Sequence, residues 1–279
     1  MREPLSPTLP RRGGIPRTGR EGRGYRAPVP PLRPLATVLA PVARRLVYPG
    51  AATRVPPEQT DLELRVDGVT LRGWEVNPGR ERALVYYGGN GEGVEWLVPE
   101  LGRRFPDHTS YLVAYRGYGA SEGTPGERAL TRDALVVHDH AAARHAGPVD
   151  VVGRSLGSGV AMQVAVRRPV QRLVLITPFD SLVATAADLF PGLPVRHLLR
   201  DRWDSLGVAD RLAARVLVVR AGRDDVVRPA RTDRLLEVLP EDTAVLDLPD
   251  AAHGTLHEDP AYWPAIEAFL TSDDVGGLA

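Results

Sequence analysis

The sequence contains no cysteine, which removes disulfides, thiolate metal sites and a cysteine nucleophile together. Lysine is absent too, so all 35 basic side chains outside histidine are arginine. A coding bias accounts for this as simply as selection for bidentate anion contacts does, and no function is read from it. The arginines are matched by 35 carboxylates, giving a formal charge of zero. Such a chain carries no overall field to recruit nucleic acid or an anionic membrane. No stretch reaches the roughly 18 consecutive apolar residues that a bilayer span needs, so a transmembrane anchor is not expected. A cytoplasmic location follows as the expectation, with peripheral membrane contact left open.

What is present suits a globular enzyme: 43% of the 279 residues are hydrophobic and 25% charged, enough for a sizeable core in one domain plus a tail. Residues 1–34 are crowded with Arg, Pro and Gly and are expected to form a disordered basic tail. Residues 35–60 are a connecting segment. Its apolar start, LATVLAPVARRLV, is interrupted by Pro41 and by Arg44 and Arg45, and is read as a short helix packed on the domain rather than an interfacial or signal-like piece. The domain proper is expected over 61–271, with a C-terminal tail at 272–279.

From residue 62 onward short β-rich runs alternate with helical stretches. LELRV and VTLRGWEV flank Asp67-Gly68, a dipeptide that accepts the positive φ of a tight hairpin turn. Six further runs, ALVYY (83–87), SYLVAY (110–115), VDVVG (149–153), RLVLI (172–176), RVLVVR (215–220) and AVLDL (244–248), are apolar without strict alternation. That pattern belongs to strands covered on both faces. Helices are expected near 92–104, 127–145, 155–167, 231–239 and 260–270. The succession predicts an α/β fold, a mostly parallel eight-stranded sheet with helices on both faces. The stretch 181–214, between strands six and seven, is left for a short lid.

Gly-x-Ser-x-Gly occurs twice, as GRSLG around Ser155 and GASEG around Ser121. Composition alone yields roughly 0.08 chance matches in such a chain, so context must choose. At Ser155 a buried strand runs straight into the motif and a helix opens on it. A serine in that tight turn projects from the C-terminal edge of the sheet, with the backbone N–H of Leu156 at a helix N-terminus aimed at developing negative charge. Ser121 has no helix after it and is read as part of a loop.

A second N–H donor is expected from YYGGNGEG (86–93), where Gly88 and Gly89 allow close backbone approach; Asn90 is the first candidate and Gly91 the next. The proton acceptor must be a histidine, whose ordinary pKa of about 6.5 lets it take and return a proton near neutrality. Of seven histidines, His253 lies in a glycine-containing loop between the last strand and the last helix, with His257 in reserve. The acid that orients it is expected after RVLVVR, where Asp224 is preferred to Asp225; Asp180 is a more distant alternative, read as a helix N-cap. HDH (138–140) and His145 are read as solvated helix residues, not metal ligands, because positions 138 and 140 do not share a helix face. No metal and no cofactor are expected.

Taken together, YYGGNGEG, YRGYGASEG, GRSLGSG, TPFDSL, AGRDDVV and AAHGTL resemble the α/β-hydrolase superfamily over roughly residues 60–270. The likeness is strongest to its small-lid branch, which includes bacterial proteins with a serine-aminopeptidase-type domain and animal lysophospholipases and protein depalmitoylases. Where relatives often carry His-Gly, this chain has Gly88-Gly89. The resemblance implies a triad of Ser155, Asp224 and His253, with Asn90 and Leu156 forming the oxyanion hole. The expected reaction is hydrolysis of a small-molecule ester or thioester of small to medium acyl chain. Two rival expectations are a peptidase, with Glu92 or Glu122 capturing a substrate amino group, and a non-catalytic binding module on the same fold.

Overall fold

The computed structural model describes residues 47–272. The expected tail at 1–34 and most of the expected helix at 35–47 lie outside the described residues, as do 273–279. From Tyr48 the chain packs on the domain. The Tyr48 hydroxyl donates to Asp201 at 2.7 Å and accepts from the Trp203 indole at 3.0 Å, while the Trp74 indole donates to Gln59 O at 2.7 Å.

Eight strands form one sheet: β1 (Leu62–Val66), β2 (Val69–Val76), β3 (Arg82–Tyr87), β4 (His108–Val113), β5 (Val149–Arg154), β6 (Arg172–Ile176), β7 (Arg215–Ala221) and β8 (Ala244–Leu248). Their order is β1-β2-β4-β3-β5-β6-β7-β8; β2 pairs antiparallel with both β1 and β4, and the pairs from β4 through β8 are parallel. The hairpin turns on Asp67 and Gly68, both at positive φ.

From β1 onward, among the described residues, the helices are α1 (Leu97–Arg104), α2 (Glu127–Ala142), α3 (Leu156–Ala165), α4 (Leu182–Leu189), α5 (Val195–Leu198), α6 (Leu206–Ala209), α7 (Pro229–Leu236) and α8 (Tyr262–Thr271). They divide the core in two. On one face Val85, Val151, Leu173, Leu175, Val216 and Val218 pack with Leu130, Ala134 and Val137 of α2 and Val160, Ala161 and Val164 of α3. On the other, Leu84, Tyr86, Val152, Val174, Leu217 and Val219 pack with Leu97 and Leu101 of α1 and Ile266, Phe269 and Leu270 of α8. Successive residues of one strand thus enter opposite cores, which is why the central runs are apolar without alternation.

Strand β8 departs from the expectation of two covered faces. It is the sheet edge, its burial alternates, and Val245 is 49% exposed; an edge strand has a partner on one side only.

The histidines of α2 also correct the sequence reading. His138 is not solvated: it lies on the inward stripe with Leu130, Ala134 and Ala141, and its ring bonds Pro169 O at 3.1 Å. Burial holds its pKa below the ordinary value of 6.5, with Pro169 O and Asp139 acting in the opposite sense. A depressed folded pKa means that the unfolded chain takes up the proton first, so stability is intact above about pH 6.5 and is lost as pH falls through the folded pKa. Thermal denaturation followed from about pH 7.5 down to pH 5 should show this decline, and His138→Gln should flatten it in part. His140, also held low by burial, supplies part of the remainder. An unchanged slope in the variant would refute this origin.

The stretch between β6 and β7 carries α4, α5 and α6. Ser181 caps α4 by accepting from Ala184 N at 3.2 Å. The helix is strapped to α7, where Arg231 donates to both carboxylate oxygens of Asp188, at 2.7 and 2.8 Å, and to Asp180 at 3.1 Å. Asp180, offered from sequence as an N-cap, is instead this buried ion-pair partner, and its neighbour Ser181 performs the capping.

Candidate active site

The C-terminal ends of β3, β5, β7 and β8 bring the candidate residues to one edge of the sheet. Ser155 stands between β5 and α3 with φ 51° and ψ −116°, a conformation that costs an L residue on the order of 1–3 kcal/mol and persists where the surroundings enforce it. The surroundings do so here. Ser155 N donates to Ile176 O at 2.8 Å, and Ser155 O accepts from Ser158 N at 2.9 Å and from Ser158 Oγ at 2.6 Å. A Cβ on Gly157 would overlap the carbonyl oxygens of Tyr87 and Gly88, and one on Gly153 would overlap Gly157 O. Strand, turn and helix therefore meet at a separation only glycine permits.

Asn90 occupies the loop after β3, followed by Gly91 at φ 68°. Its side-chain oxygen accepts from the Tyr118 hydroxyl at 3.2 Å. Asn90, Ser155 and Leu156 border one cavity of about 100 Å³, whose other walls include Phe179, Leu182, Ala186, Leu189, Phe190, Val226 and Val227.

His253 and Asp224 are joined directly. The imidazole Nδ1 lies 2.8 Å from Asp224 Oδ2, and Asp224 Oδ1 accepts from Val226 N at 2.9 Å and Val227 N at 2.7 Å. Asp224 is buried and Asp225 exposed. Ser155 Oγ makes no hydrogen bond to His253 among the described residues. His257 lies against Trp96 with the rings tilted by 50° and their centroids 5.5 Å apart. It lines a second, more polar cavity of about 350 Å³ with His253, Asn90, Glu92, Arg154 and Tyr262. Ser121 is fully buried away from both cavities, accepting from Arg72 N at 2.8 Å and donating to Ala114 O at 2.7 Å.

Sequence reasoning missed Arg154. Its guanidinium donates to Glu92 at 3.1 Å and to His253 O at 2.9 Å, from the position just before Ser155. Glu92 in turn accepts from Gly89 N at 2.5 Å and from the Tyr86 hydroxyl at 3.0 Å. One partly buried ion pair thus ties the loop bearing Asn90, the turn bearing Ser155 and the loop bearing His253. A charged residue inside Gly-x-Ser-x-Gly was the signal available; its partner 62 positions earlier was not.

Sheet order, helices on both faces and a serine turn at the C-terminal edge define the class: the chain belongs to the α/β-hydrolase superfamily. It is 32% identical over 251 residues to an uncharacterized protein of Mycobacterium tuberculosis, covering 84% of this chain and 89% of that one. It is 47% identical over 75 residues to the lysophosphatidylserine lipase ABHD12 of Mus musculus, a match spanning 24% of this chain and 19% of that protein. Among solved structures, MGS-M2, an α/β-hydrolase enzyme from a deep-sea metagenome library, superposes with TM-score 0.64 at 12% identity, covering 78% of this chain and all of the other. No family model matches the chain. Among the described residues no helix is long and apolar enough to cross a membrane.

Proposed function

We propose that this protein is a serine hydrolase of carboxylic esters or thioesters, with Ser155 as nucleophile, His253 as general base and Asp224 orienting the imidazole. The observation that carries the reading is the Asp224–His253 hydrogen bond, held through Arg154 beside the strained turn that bears Ser155.

With Nδ1–H donated to Asp224, His253 Nε2 is the nitrogen left to accept a proton. The Ser155 hydroxyl adds to the substrate carbonyl while its proton passes to Nε2. The N–H groups of Leu156 and Asn90 bind the resulting oxyanion. Collapse expels the alcohol or thiol, which takes the proton from the imidazolium, and water repeats the sequence on the acyl-enzyme. The Ser155–His253 contact forms in this scheme when substrate is bound, as such contacts commonly do. No cofactor takes part.

The apolar cavity next to Ser155 receives the acyl chain, and its small volume favours a few carbon atoms inside, with longer chains leaving between Leu189, Phe190 and Val226. Esters are preferred to peptides because neither candidate carboxylate lines the Ser155 cavity: Glu92 is paired with Arg154 in the neighbouring cavity, and Glu122 lies outside both, accepting from Thr70 N at 3.0 Å. In a panel of nitrophenyl esters and aminoacyl arylamides, ester turnover is expected to exceed arylamide turnover by at least about 100-fold. A fluorophosphonate probe should label Ser155. Faster arylamide turnover would reassign the protein as a peptidase, and absence of both labelling and turnover would leave it a binding module.

A further inference from the structure

Three side chains that wall the Ser155 cavity are also strongly exposed: Leu189 at 42%, Phe190 at 44% and Val226 at 36%. Leu193, at 57%, continues this surface and borders an open groove of about 620 Å³ with Pro194, Val195 and the outer side of α4. Exposed apolar side chains are ordinary when scattered; three at one cavity mouth, continued by a fourth on the adjoining groove, mark a contact surface.

Two arginines beside them have no carboxylate partner within ion-pair distance among the described residues. Arg196 lines the same groove and forms no ion pair among the described residues. Arg228 is exposed and reaches Asp188 O at 3.5 Å. The Asp188 carboxylate is matched by Arg231, and the exposed Asp225 is the opposing charge beside Val226.

We propose that this lid face docks on an anionic phospholipid bilayer. Leu189, Phe190, Leu193 and Val226 enter the interface, and Arg196 and Arg228 lie at the level of the headgroups. An apolar cluster flanked by arginines is the chemistry of interfacial binding, where burial of apolar surface and attraction to anionic lipid add. The orientation would turn the mouth of the Ser155 cavity toward the lipid. An acyl chain would then pass from membrane to cavity without crossing water. Docking is independent of the catalytic assignment and is read without turnover.

The test uses the full-length chain with phosphatidylglycerol/phosphatidylcholine vesicles and with phosphatidylcholine vesicles at ordinary ionic strength, each variant being compared with the wild type so that the Arg-rich N-terminal sequence contributes equally to both; equal binding to the two vesicles would overturn the anionic preference. Leu193→Asp, outside the Ser155 cavity, should weaken sedimentation with vesicles by about tenfold while a short soluble ester is turned over as before. Leu193→Trp should show indole fluorescence quenched by brominated phospholipid beyond that of the wild type. Equal sedimentation of wild type and Leu193→Asp would overturn the proposal, as would an unquenched Trp in vesicle-bound protein. So would concentration-dependent dimerisation, lost in Leu193→Asp, without vesicle binding, since a second copy would then occupy the face. If no ester is turned over by any form, the catalytic reading fails while the sedimentation and quenching results still decide the docking.

Discussion

Ser155→Ala is expected to lower kcat/KM on a short nitrophenyl ester by roughly 10⁴–10⁶-fold, the range found when a nucleophile acting as part of a unit is removed. The loss should fall on kcat, because the hydroxyl bonds covalently only along the reaction path and contributes little to ground-state binding. Folding should survive. Alanine replaces one atom at a position whose backbone is held by Ile176 O and by both donors of Ser158, so a thermal midpoint close to that of the wild type is part of the expectation. Retained activity in the alanine variant, with contaminating esterases excluded by active-site titration, would remove the mechanism.

Asp224→Asn should lower kcat by about 10³–10⁴-fold, whereas Asp225→Asn should leave it within about twofold. The carboxylate of Asp224 accepts three hydrogen bonds, from His253, Val226 N and Val227 N. An amide has one oxygen and one NH₂, so it can satisfy the two backbone donors only by presenting its own N–H groups to the imidazole. The histidine would then be held in the tautomer with its proton on Nε2, where it cannot accept one from serine. Near-equal effects of the two substitutions would show that the orienting acid lies elsewhere. The neighbouring substitution also controls for local charge, since both remove one negative charge from the same loop.

Much of the fold was legible because its cause is local. Each central strand faces two cores, so its residues are apolar in succession, and the runs ending at Tyr87, Gly153 and Ile176 could be recognised without their partners. Strand β8 misled for the same reason: AVLDL reads like an interior strand, and only sheet order reveals that its far side lacks a neighbour. The serine turn was legible because glycines at 153 and 157 are a steric requirement written into the motif.

The choice between Asp224 and Asp225 was not settled by sequence, since adjacent residues share composition and context. What separates them in space is a turn in which Asp224 receives the two N–H groups that follow it and is thereby drawn inward. Long-range pairings were harder still. His138 meets Pro169, Arg231 meets Asp180 and Asp188, and Arg154 meets Glu92 and the His253 carbonyl. No periodicity announces such encounters, because each joins positions whose separation in the chain carries no structural rhythm.

The shared guanidinium at position 154 bears on how this protein can be altered. Lengthening or exchanging the segment around Glu92 disturbs the purchase on the segment around His253, and the reverse holds as well. Grafting either from a relative therefore succeeds only when both travel together with the residue between them, so that the two behave in variation as one inherited part.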